Sequence, residues 1–165
     1  MNGPHTHRSL EFSIASWFVR SEVHFPMKQA GWLRKWVAQE GMRHAVRLRF
    51  ESELERLAQI DGQGFDPDEA VLIVHILGDL GDGSGTIAPF ESLWLHARLF
   101  LTACLYVAVA DGGYSVEQAR HISTLASRLG WSARQLSDLE KHVLERLEER
   151  GRVRLNTAAS PGLAV

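Results

Sequence analysis

The sequence holds a single cysteine, Cys104, among 165 residues. One thiol cannot close an internal disulfide or build a cysteine-rich zinc module. Its position inside an apolar run marks it as a buried, inert side chain. Positive charge is just as scarce in the middle of the chain. Residues 57–112 carry one basic residue, Arg98, against eight Asp and Glu, while residues 1–56 carry nine against six and residues 113–165 eight against six. The formal net charge is only -2, so the molecule as a whole advertises neither a nucleic-acid nor a membrane partner. An apolar run of membrane-spanning length is also missing. The longest, Leu99 to Ala110, falls well short of the roughly 20 residues a bilayer requires and fits a buried helix. The opening MNGPHTHRS lacks the charged-then-apolar layout of a secretory signal, and a cytoplasmic location is the expectation.

What is present is helical punctuation. Hydrophobic residues make up 45% of the chain, enough to bury one core at this length, so a single domain is expected. Asp66-Pro67-Asp68-Glu69 reads as a helix start with a capping aspartate and a proline at the first helical position. The helix that follows, about 67–79, carries Val71, Val74, Ile76 and Leu77. Ser115-Val116-Glu117-Gln118 and Ser132-Ala133-Arg134-Gln135 both match the capping box. Behind them Ile122, Leu125 and Leu129, then Leu136, Leu139, Val143 and Leu147, recur at spacings of three and four, with Gly130 and Gly151 as the expected stops. No breaker interrupts Pro89 to Ala110, which predicts one long central helix, apolar on nearly all sides, including Leu93, Trp94 and Leu95. Met42 to Gln59 predicts an amphipathic helix with Val46, Phe50, Leu54 and Leu57 inward and Arg47–Glu51 and Arg49–Glu53 as exposed pairs. Residues 26–41 predict another helix, weakened at Gly31, while residues 10–25 fit either a strand or a helix. The fold class is therefore all-α, a compact multi-helix bundle with a central helix over about 89–110. Residues 1–9 and 151–165 are expected to be disordered, and 10–150 to form the single domain.

The stretch DLGDGSGTIAPFE, residues 79–91, approaches the calcium loop of an EF-hand. With Gly85 at the sixth position, Asp82 takes the third, Ser84 the fifth, Thr86 the seventh and Glu91 the bidentate twelfth. Leu80 stands where the first carboxylate belongs, and Asp79 comes one residue too early, so a ligand and its charge are missing. A glycine turn leading into a proline-started helix explains the loop more simply. A second acidic turn, Asp111-Gly112-Gly113-Tyr114-Ser115-Val116-Glu117, reads alone as a helix end, a turn and a capped start.

Taken further, VAVADGGYSVEQARHISTLASRLGWSARQLSDLE resembles the TerB-like family, which includes tellurite-resistance TerB and the N-terminal domain of the DjlA co-chaperones. The shared features are a small-apolar helix ending in Ala-Asp-Gly, a Glu six residues after that Asp, a helix ending in Leu-Gly and a further capped helix. They cover roughly residues 99–148, with the TerB-like part of the domain spanning about 66–150. The resemblance implies a helical bundle whose acidic turns bind a divalent cation, acting without catalysis in a stress-response or membrane-linked assembly. Asp82 and Glu91 in the first turn and Asp111 and Glu117 in the second are then the metal candidates, with calcium favoured. The histidine-proline-aspartate triplet of a J domain is absent, so no co-chaperone activity follows.

An unbroken helix from Pro89 to Ala110 would be about 33 Å long, holding the two turns apart unless they meet across a homodimer. His75 with Asp79, and Glu117 with His121, are spaced four apart as metal-binding pairs can be, but polar helix surface explains them as well. His96 and His142 have no paired ligand. No catalytic signature such as His-Glu-x-x-His or Gly-x-Ser-x-Gly occurs. The basic stretch 28–56, with Trp32 and Trp36, suits strand stacking less well than a core position, given Glu40, Glu51, Glu53 and Glu55 among its charges. A protein partner is the expectation. The alternative reading is a helical adaptor, or an accessory subunit of an enzyme complex, with no metal of its own.

Overall fold

The computed structural model describes residues 30–60, 67–78, 80, 84–110 and 115–158. Among these residues six α-helices run in the order α1 (Gly31–Gln39), α2 (His44–Ala58), α3 (Pro67–Leu77), α4 (Ala97–Ala108), α5 (Val116–Arg128) and α6 (Ala133–Ala158). A 3-10 helix, Phe90–His96, leads directly into α4. There is no strand among the described residues, and the fold is an all-α bundle, as the helical periodicity predicts.

At the centre lies α4, which packs against every other one of these elements. Eleven of its residues are buried, Arg98 being the exception. Each Leu or Phe taken fully out of water contributes about 1.5–3 kcal/mol, so α4 is the main apolar mass around which the bundle closes. Aromatic rings lock it to its neighbours. Phe50 of α2 meets Phe100 edge-on with centroids 5.1 Å apart, and Trp32 of α1 meets Tyr106 likewise at 5.6 Å.

Local chemistry sets the helix ends. At α5, Gln118 N–H donates to Ser115 Oγ at 3.1 Å and Ser115 N–H donates to Gln118 Oε1 at 3.2 Å. The reciprocal pair recurs at Ser132 and Gln135, at 3.2 and 2.8 Å. Both capping boxes satisfy helix-start donors that would otherwise lack partners. The end of α5 is a Schellman motif: Gly130 N–H donates to Ser127 O and Trp131 N–H to Ala126 O, with Gly130 at φ +78°.

Three expectations are corrected. The helix from Pro89 to Ala110 is not uniform, because its first seven residues are 3-10 and the α-helix begins only at Ala97. Its entry is pinned to α2, where Ala88 N–H donates to Ala45 O at 3.0 Å and Arg49 Nε donates to Ala88 O at 2.7 Å. With three residues per turn, Phe90, Leu93 and His96 share the inward face. Trp94 and Leu95 are thereby turned outward, 65% and 75% exposed, instead of joining the core. The second correction concerns α6, which passes through Gly151 to Ala158 instead of stopping at that glycine. One glycine costs a helix only about 1 kcal/mol, too little to end a long one. Third, Glu53 is no exposed pair member but is buried at 1% exposure. The ambiguous segment 10–25, the start of the 26–41 helix and the capping Asp66 lie outside the described residues.

Candidate functional site

Of the four metal candidates, Asp82 and Asp111 lie outside the described residues. Glu91 is exposed in the first turn of the 3-10 helix, and Glu117 is exposed in the first turn of α5. Both positions suit a carboxylate for a plain reason, since the free N–H groups of a helix start favour negative charge. The structure does not gather them: they open two different helices, and among the described residues no group of three or more His, Cys, Asp or Glu side chains converges as metal ligands. α4 is continuous through Thr102, so the two acidic turns are entered from opposite ends of the 90–108 segment. Of the histidine pairs, Asp79 lies outside the described residues, while His75 and His121 are half-buried and their Nε2 atoms have no hydrogen-bond partner among those residues.

A buried charge sits between α2 and its neighbours. Glu53 Oε1 is 3.2 Å from Arg49 Nη1 and its Oε2 is 3.8 Å from Arg56 Nη1. Arg49 thus serves twice, holding the Glu53 carboxylate and the carbonyl of Ala88. Burial pushes the Cys104 thiol well above its ordinary value, reinforced by the negative charge of Glu53, and leaves it protonated and inert as expected. Burial also draws His121 below the ordinary histidine value, against the opposing pull of Glu53.

Two surfaces stand out. The first is the outward side of the 3-10 helix. Because positions three apart line up in such a helix, Glu91 and Trp94 share one row of it. The acidic group and the exposed ring form one feature, beside Leu95.

The second surface is a groove of about 690 Å³ bounded by α1, α4 and α6. α1 supplies Trp32, Lys35 and Trp36, and α4 supplies Arg98 and Thr102. On α6 the residues Leu139, His142, Val143 and Arg146 follow one face at spacings of three and four. The indole rings of Trp32 and Trp36 stack with centroids 5.8 Å apart, inclined by 26°. Trp32 Nε1–H donates to the Tyr106 hydroxyl at 3.1 Å, and the Arg146 guanidinium lies 4.3 Å from the Trp32 ring centroid. Next to the groove, Trp36 Nε1–H donates to Glu40 Oε1 at 3.0 Å, while Glu40 Oε2 lies 2.6 Å from His96 Nδ1.

Sequence reasoning found Trp32, Trp36 and Lys35 but gave them to the core or to strand binding, and it assigned nothing to His96 and His142. The one signal available was on α6, where two basic positions alternate with Leu139 and Val143 on a single face. Nothing in the linear order ties that face to Arg98 or to α1.

Comparison of the chain with protein-family models, with curated proteins and with solved structures yields no match. Among the described residues no helix is long and apolar enough to cross a membrane.

Proposed function

We propose that the chain is a non-enzymatic, TerB-like helical adaptor of the cytoplasm that docks a basic protein partner through the outward face of its 3-10 helix. The observation that carries this reading is the exposure of Trp94 and Leu95, at 65% and 75%. Adjacent exposed Trp and Leu side chains on a rigid element are the kind of anchor on which protein interfaces concentrate their energy. Phe90 and Leu93 fix that element from behind, so little ordering cost falls on binding. Charge selects the partner. The pair lies in the stretch that carries eight acids against one base, and Glu91 lies on the same row of the 3-10 helix as Trp94. A matching surface presents an apolar pocket rimmed by Lys or Arg.

A divalent cation at the acidic turns is the other form of this reading. The described residues contribute one carboxylate to each turn, Glu91 and Glu117, against the six to eight oxygens calcium takes. The adaptor form needs no such set and rests on the exposed Trp94 and Leu95 instead.

The test uses the whole protein and two amphipathic helical peptides with the same leucine face, one with Lys and one with Glu on its polar side. The lysine peptide should bind at low salt with a blue shift of tryptophan emission, and Trp94→Ser or Glu91→Lys should weaken it. Equal binding of both peptides, or undiminished binding by Trp94→Ser, overturns the proposal. Calcium added to chelator-treated protein should leave the unfolding midpoint in place. A rise that Glu91→Ala or Glu117→Ala abolishes would favour the cation form instead.

A further inference from the structure

We infer that the groove between α1, α4 and α6 is a binding site for a small planar aromatic anion, a heteroaromatic ring carrying a phosphate or phosphate-like group. This site is separate from the docking face and stands or falls independently of it.

The groove is positively charged. Lys35, Arg98 and Arg146 line one groove together with His142, and among the described residues no Asp or Glu lines it. Among the described residues none of the three permanent cations is held in an ion pair with a carboxylate. The nearby carboxylate, Glu40, is engaged by Trp36 Nε1 and His96. Like charges lining one groove repel one another, and a bound anion relieves that repulsion. Arg98, the lone base of its stretch, lines this groove.

The ring system points the same way. Trp32 and Trp36 are half-buried and already stacked on one another, and the Arg146 guanidinium lies over the Trp32 ring. With Arg146 over Trp32, the Trp36 ring is where a further aromatic ring would join the stack at little entropic cost, and a guanidinium set above an aromatic face can meet a phosphate oxygen without leaving it. The Trp32 Nε1–H bond to Tyr106 fixes the platform to buried α4. At about 690 Å³ the groove falls among cavities that hold small ligands, and it is large for a bare inorganic anion.

A continuous single strand is the rival occupant, since it uses the same chemistry. Four basic side chains confined to one groove fit a single ring and its charged group better than the extended basic track a strand follows.

Guanosine monophosphate is the probe, titrated into the intact protein and followed by tryptophan fluorescence. Guanosine and inorganic phosphate serve as ring-only and charge-only controls, and a thymidine dodecamer as the strand. Saturable quenching by the nucleotide is expected, with each control at least about tenfold weaker because half of the recognition is missing. Arg98 and Lys35 are exposed, so Arg98→Glu and Lys35→Glu should fold normally and bind the nucleotide about tenfold or more weakly. No saturable quenching by the nucleotide overturns the assignment. So does equal affinity in Arg98→Glu, which would place the quencher elsewhere. Binding of the dodecamer alone, with a steep salt dependence, overturns it in favour of strand binding.

Discussion

The carboxylate of Glu40 and the imidazole of His96 meet at 2.6 Å, joining the end of α1 to the end of the 3-10 helix across 56 residues of sequence. A carboxylate oxygen can only accept, so Nδ1 carries the proton. The contact ties down the last turn before α4, and Glu40 also holds the Trp36 indole. Both side chains are largely shielded, at 27% and 15% exposure. Glu40→Gln and His96→Ala should each cost about 1–2 kcal/mol in urea unfolding. The double variant should cost less than their sum, and strict additivity would show that the contact contributes nothing.

Arg49 and Glu53 form a second linked pair. Removing Arg49 takes the hydrogen-bonded partner from a buried carboxylate, leaves it only the longer contact to Arg56 and frees the Ala88 carbonyl, so Arg49→Ala should destabilise the fold by about 2–4 kcal/mol. Glu53→Gln removes the buried charge itself and should cost less. The order of the two denaturation midpoints checks this, and a larger loss for Glu53→Gln would refute it.

Acid should weaken the fold through His121. Burial, the largest influence, holds its folded pKa below the ordinary value of 6.5, with Arg56 and Arg128 adding to the shift and Glu53 opposing it. The unfolded chain therefore takes up a proton that the folded chain resists. Stability from this group is complete above the unfolded value and is lost as pH falls through it toward the lower folded pKa. His121→Gln should flatten the loss of stability between about pH 7.5 and 5.5. An unchanged slope would exclude His121 as its source.

The same substitution should act with opposite signs at two glycines. Gly130 has φ +78° and open space around its Cβ position, so Gly130→Ala meets only backbone strain and should cost about 1–2 kcal/mol. Gly151 lies inside α6, where alanine should add about 0.5–1 kcal/mol of helix stability. Circular dichroism melts of the two variants should move in opposite directions, and a stabilising Gly130→Ala would contradict the Schellman geometry.

The capping boxes at Ser115 and Ser132, the stop at Gly130, the amphipathic α2 and the buried α4 were all legible in the sequence. Each depends on residues within a turn or two of one another, where spacing and side-chain chemistry act directly. The length and all-helical character of the bundle follow from the same local rules. Tertiary structure alone decided the rest. Whether residues 90–96 turn with a period of 3.0 or 3.6 depends on how α2 pins Ala88, and that choice sends Trp94 and Leu95 outward. The burial of Glu53 depends on what packs over α2, so local i,i+4 spacing misplaced it. The groove needs three helices from distant parts of the chain to meet, and no local pattern links Trp32 to Arg98 or Arg146. Helices are short-range hydrogen-bonded structures and announce themselves locally, whereas a site between helices exists only once their packing has brought its side chains together.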